Sequence, residues 1–204
     1  ADGKPVALTK IDKHTWQAAA LRGKQALTLH YEVYAWDLSV RGAHLDRSHA
    51  FCNGTSVFLR VLGQENRKCR VELQRPRGKR CRDWRVATSL PSEDGRDKTC
   101  IHDFGAFVAA DYDELIDHPI EMGTFTVARF KACGIAHEIA ITGRHDCDAE
   151  RLCADLKRVC EWQIRFFGKP VPIDRYLFLV TAVGDGYGGL EHRASTALLC
   201  ARED

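Results

Sequence analysis

The sequence lacks most of the features that assign a protein at a glance. No run of about 18 apolar residues occurs, which excludes a membrane-spanning helix. The opening residues, Ala1-Asp2-Gly3-Lys4-Pro5, carry no apolar signal-peptide core. The cysteines number nine, an odd count, and no two are spaced C-x-x-C, so neither a closed disulfide framework nor a zinc ribbon is indicated. There is no internal repeat and no low-complexity segment. Neither sign of charge dominates: 30 Lys and Arg against 28 Asp and Glu leave a net charge of +2, which argues against a nucleic-acid or membrane-surface partner.

What is present fits a globular chain. Of 204 residues, 45% are hydrophobic and 28% charged, enough for one large domain or for one domain and part of another. The unpaired cysteines read as reduced thiols, which favours a cytoplasmic setting. Cys153 and Cys160, seven apart on one predicted helix, read as buried thiols on a shared face.

The first two thirds read as strands. Leu27, Leu29, Tyr31, Val33 and Ala35 alternate with Thr28, His30, Glu32 and Tyr34, the period of a strand with one buried face. Val57 to Leu62 is a short apolar run after an Asn53-Gly54 turn. That turn lies within a formal glycosylation sequon. Val71 and Leu73, Trp84 to Ala87, and Phe125, Val127, Ile139 and Ile141 around a turn at Cys133-Gly134 suggest further strands. Short strands separated by turn signals predict a β-sandwich-like domain over residues 1–145. The basic stretch from Arg75 to Arg85 reads as a solvated loop, since no recognition helix accompanies it.

The pattern changes after Gly143. Asp148 is placed to cap a helix starting at Ala149, with Glu150 in its first turn. Leu152, Leu156, Val159, Cys160 and Gln163 follow helical spacing, Phe166 or Phe167 closes the stripe, and Gly168 and Pro170 stop it. Tyr176 to Val180 predicts a buried strand, Gly184 to Gly189 a glycine-rich turn, and Ala197 to Cys200 another strand. The fold class expected is α+β, mainly β, with a boundary near residue 145.

Three chemistries fail on spacing. His137-Glu138 would need a histidine at 141 to make the H-E-x-x-H zinc helix, but Ile141 stands there and the segment alternates like a strand. Gly184 to Gly189 is followed by Leu190-Glu191-His192, not by the Lys-Ser/Thr of a phosphate loop. No local signature supports a cysteine nucleophile. There remains Gly188-Gly189-Leu190-Glu191-His192: two glycines that admit another backbone, then a carboxylate able to bind a cation such as an amino group.

That stretch lies within Tyr176 to Ala201, a run that resembles the glycyl aminopeptidases of the M61 peptidase family. Tyr34-Ala35-Trp36-Asp37-Leu38-Ser39-Val40-Arg41-Gly42-Ala43, Phe51-Cys52-Asn53-Gly54-Thr55-Ser56 and Asp111-Tyr112-Asp113-Glu114-Leu115-Ile116-Asp117-His118-Pro119 are similar to the same family, in the same order. The resemblance implies a zinc-dependent aminopeptidase acting on peptides with small N-terminal residues such as Gly or Ala. It also implies a β-rich N-terminal domain followed, over residues 146–204, by the first helix and strands of a thermolysin-like catalytic domain. The larger zinc aminopeptidases hold the substrate amine with the glutamate of a Gly-x-Met-Glu-Asn motif. By position Glu191 takes that role, with Gly188 and Gly189 lining the peptide, while Leu190 and His192 depart from the motif. The zinc helix is expected beyond Asp204, so no residue of this chain is expected to ligate metal, and the chain by itself is expected to be inactive and to self-associate. The rival reading is a non-catalytic β-domain that binds a protein or peptide partner.

Overall fold

The computed structural model describes residues 4–20, 26–95 and 98–203. The chain divides into residues 1–33 and residues 34–204. In the first unit β1 (Leu8–Lys10) and β2 (Trp16–Ala18) form a hairpin in which Lys10 faces Trp16. Asp12 holds its turn by accepting from the His14 amide at 2.9 Å.

The second unit carries the remaining elements. These are β3 (Ala43–Leu45), β4 (His49–Cys52), α1 (Gly54–Val57), β5 (Cys69–Leu73), β6 (Arg85–Ala87), β7 (Ile101–His102) and β8 (Gly105–Ala109). There follow α2 (Tyr112–Ile116), β9 (Ile120–Gly123), β10 (Thr126–Ala132), β11 (Ile135–Thr142), α3 (Ala149–Phe167), β12 (Arg175–Val183), β13 (Gly188–Glu191) and β14 (Ser195–Ala201). One antiparallel sheet has the order β3-β4-β9-β6-β7, and a mixed sheet the order β10-β11-β12-β14-β13. The mixed sheet takes strands from both sides of residue 145. Strands β5 and β8 form a separate ribbon.

The period-two rule arranges the layers. In β6, Ala87 points into a core with Phe51, Ala140, Leu177, Leu179 and Ala197, while its neighbour Val86 points into another with Ile120, Leu90, Phe107 and Leu115. In β11 and β12, Ala140, Leu177 and Leu179 face the first of these cores, while Ile139, Ile141, Phe178 and Val180 face α3. The mixed sheet is therefore covered on both faces. This explains the unbroken apolar run from Tyr176 to Val180, since a parallel strand buried on both sides has no solvent face to alternate with. The β10–β11 turn is at Cys133-Gly134, as the sequence indicates, with both residues at positive φ (51° and 86°).

Helix α3 starts and stops where its signals stand. Asp148 accepts from the amides of Glu150 and Arg151, and Gly168 ends the helix. Its packed side is Ala149, Leu152, Cys153 and Leu156. Val159, Phe166 and Phe167, expected to complete the buried stripe, are instead 56%, 67% and 80% exposed.

Other expectations are corrected. Residues 26–35 form no strand. Among the described residues that segment reaches a ladder only at its end, where Leu45 donates to the Ala35 carbonyl and Asp37 to that of Ala43. Alternation states which face prefers burial, but a strand also needs a neighbouring backbone. Val57 to Leu62 is no strand either. Asn53 caps α1 through its side chain and is buried, so it makes a helix start, not an exposed turn or a glycan acceptor. Gly184 to Gly189 is not one turn, since Gly188 and Gly189 belong to β13. Arg75 is no solvated side chain. It donates to the carbonyls of Cys81, Arg82 and Trp84, pairs with Asp103 and lies over Phe104, and so organises the basic loop.

Gly54 packs directly against backbone: a Cβ there would lie 2.6 Å from the Ile116 Cα. Gly54→Ala should therefore lower stability by about 1–3 kcal/mol, because the clash is with backbone and cannot be relieved by a rotamer change. Denaturant unfolding checks this, and an unchanged midpoint would refute it.

Candidate functional site

Strand β13 is an edge strand. Gly188, Gly189, Leu190 and Glu191 pair with Leu199, Leu198, Ala197 and Thr196 of β14, and among the described residues no strand covers the other edge. Leu190 packs on the core between the sheets, and a Cβ on Gly188 would point to the same side, meeting Val40 at 3.7 Å. Gly189 and Glu191 face the opposite side. Glu191 is exposed. A Cβ on Gly189 would meet Leu198 at 3.5 Å, an ordinary contact. Intramolecular packing thus does not require glycine at either position. What the pair provides is an unobstructed strip of backbone beside a carboxylate.

The strand's exit is fixed by Asp117, the residue that closes α2. Its carboxylate lies 3.3 Å from His192 Nδ1, accepts from the Arg193 amide at 3.1 Å and lies 3.6 Å from Arg193 Nε. His192 is nearly buried, so its ring is a strut behind Glu191. The four stretches singled out in the sequence meet here. Val40 lies under Gly188, Asn53 donates to the Val40 carbonyl, Gly54 abuts Ile116, and Asp117 holds His192.

Behind Asp117 a cleft of about 530 Å³ is lined by residues including Ser89, Glu114, His118, Arg175 and Arg193. Ser89 Oγ is 2.6 Å from His118 Nδ1, and Arg175 donates to the Ser89 carbonyl. Ser89 is buried, so this pair is structural and not a nucleophile with its base. The cysteines supply no nucleophile in the core either, since burial above all pushes the Cys52 and Cys100 thiols up to about 12.

His137 and Glu138 fall on opposite faces of β11, as strand alternation demands. His137 stacks on Phe130 at 4.8 Å, and Glu138 binds Arg129 and the Cys100 amide. A cluster that the sequence reading missed is His44, Asp46 and His49 around the β3–β4 turn, whose donor atoms lie within 4.8 Å of one another. Its only sequence signal is the spacing His-x-Asp-x-x-His. That spacing becomes informative only once a hairpin is known to fold it onto one face.

Burial lowers the pKa of His118, despite the opposing charges of Asp117 and Glu114. Burial likewise lowers that of His137. A histidine depressed in the folded state contributes stability that is present above its unfolded pKa of about 6.5 and is lost as pH falls below it. The contribution of His118 and His137 should therefore fall between pH 7.5 and 5, against the opposite contribution of His49, whose pKa is raised, and His118→Gln should make the slope less steep. Melting curves across this range check it, and an unchanged slope in the variant would remove His118 from the account.

Comparisons with known proteins identify the family. The Peptidase M61 N-terminal domain matches residues 1–124. A crystal structure of an aminopeptidase N family protein from Idiomarina loihiensis superposes with a TM-score of 0.88 at 45% identity, over 97% of this chain and 32% of that one. The chain thus spans about a third of that protein's length. Among curated proteins none matches. No helix among the described residues is long and apolar enough to cross a membrane. The chain belongs to the peptidase M61 family.

Proposed function

We propose that this chain is part of a zinc-dependent aminopeptidase that removes small N-terminal residues such as Gly or Ala from peptides, with Glu191 binding the substrate's free amino group. The carrying observation is that Glu191 stands exposed at the end of an edge strand whose outer backbone groups have no strand partner among the described residues. An extended peptide can add to such an edge through main-chain hydrogen bonds, with Gly188 and Gly189 keeping the strip clear. A carboxylate at the strip's end favours a terminal ammonium, because a charge-assisted hydrogen bond is about twice as strong as a neutral one. Asp117 and His192 would hold that carboxylate's strand in register.

On this reading residues 1–145 form the N-terminal β-rich domain, and residues 146–204 open a thermolysin-like catalytic domain. The described residues form no H-E-x-x-H helix to hold the catalytic zinc. The one His-Glu pair is split across the two faces of β11, and Ile141 occupies the place of the second histidine. We place those ligands beyond Asp204. The chain alone would be inactive, and its thiols suit the cytoplasm.

In the whole enzyme, Glu191→Gln should lower kcat/KM for Gly- and Ala-peptides roughly 10- to 100-fold, the value of about 1.5–3 kcal/mol for a hydrogen bond to a charged group. Unchanged kinetics would take Glu191 out of the site, and a whole protein without aminopeptidase activity would favour a non-catalytic peptide-binding domain.

The exposed face of α3 supports self-association of the isolated chain. Trp162 and Phe166 stack at 5.1 Å and are 59% and 67% exposed. Sedimentation should detect oligomers at high concentration that Trp162→Glu disperses. A monomer that binds no apolar dye would refute this.

A further inference from the structure

We propose that His44, Asp46 and His49 form a binding site for one divalent cation of the zinc class, separate from any catalytic centre and independent of the peptidase reading. The β3–β4 hairpin assembles it. Asp46 and His49 close the turn through the Asp46 amide and the His49 carbonyl, with Arg47 and Ser48 between them. His44 precedes Asp46 by two residues on β3. Strand alternation then puts all three side chains on one face.

Each side chain is already held in a donor's posture. Asp46 Oδ1 is occupied, accepting from the Ser48 amide at 2.6 Å, the Ser48 hydroxyl at 2.7 Å and the His49 amide at 3.1 Å. Asp46 Oδ2 turns to His44 Nε2, 3.6 Å away. Donor atoms around a tetrahedral zinc stand roughly 3.3–3.5 Å apart, so this pair is close to ligand spacing. His49 Nδ1 lies 2.9 Å from Glu121 Oε1, an oxygen that also accepts from the Thr142 hydroxyl at 2.9 Å. A carboxylate behind one imidazole nitrogen fixes the ring and leaves the other nitrogen as the metal donor, the usual outer support of a histidine ligand. Gly123 pairs with His49, and a Cβ there would stand 3.0 Å from the His49 Cβ, so its absence makes room for the ring.

The second observation is His44 itself. Its side chain is 9% exposed, and its buried Nδ1 has no hydrogen-bond partner. Its Nε2 faces Asp46 at more than hydrogen-bond distance. An ion on Nε2 would complete the ring's Asp46 side, while Nδ1 would stay without a partner. Asp46 is exposed, so the site opens to solvent and leaves a fourth position for water. Two imidazoles and one carboxylate select a zinc-like ion over calcium or magnesium, which prefer all-oxygen shells.

The test uses the tag-free 204-residue chain, stripped with chelator and titrated with zinc chloride. One equivalent should bind, and His44→Phe and Asp46→Asn should each weaken binding at least tenfold, both variants being first checked for native melting without metal. Cobalt(II) in place of zinc should give visible d–d bands without the intense near-ultraviolet band of a thiolate ligand. Absence of saturable binding, undiminished affinity in both variants, or a thiolate band pointing to the cysteines would each overturn the site.

Discussion

Burial of the mixed sheet on both faces is the constraint from which the rest of the second unit follows. Strands β11 and β12 give alternate residues to two cores, with Leu177 and Leu179 on one side and Phe178 and Val180 on the other. Neither face can be given up without exposing the other layer's partner. The antiparallel sheet must therefore lie on one side and α3 on the other. Each close-packed layer adds roughly 25 cal/mol per Å² of apolar surface removed from water. Once the layers are set, β14 and its edge partner β13 have their positions fixed, and so does the exposed Glu191 at the end of β13.

Two polar links inside this packing join distant parts of the chain. Asp117 ties α2 to the exit of β13, 75 residues further along the chain, and Glu121 joins β9 to His49 and Thr142. Such buried links are expensive if left half made, so they specify register more than they add stability. Glu121 shows the competition plainly. Burial raises its pKa, while hydrogen bonding from His49 and that residue's charge pull it back. Asp46, nearer solvent, goes the other way: burial would raise it, but hydrogen bonds from Ser48 and the His49 amide prevail and hold it below the usual carboxylate range.

Membership of the M61 family and the edge-strand geometry are separate observations, made on different parts of the chain. The family match covers residues 1–124, and Glu191 lies outside it. An open edge such as that of β13 would suit an enzyme or a binding module equally, because backbone groups do not record which chemistry follows.

Signals carried within a few residues were legible from the sequence. Asp148 and Gly168 bound α3, Cys133-Gly134 turns β10 into β11, alternation located β5 and β11, and an unbroken apolar run located β12, because caps, turns and faces are decided by neighbours along the chain. The two glycines beside the Glu191 carboxylate are a pattern carried within one short stretch. What depended on partners far along the chain was not legible. Residues 27–35 alternate like a strand yet find a ladder only at their end, and α3 turns Leu152 and Leu156 inward while leaving Phe166 out. Gly188 and Gly189 join a strand because β14 lies alongside. The His44, Asp46 and His49 cluster exists because a hairpin gathers it and a glutamate 72 residues away orients one of its rings. Periodicity specifies which side chains want company, and only the packed layers decide which ones receive it.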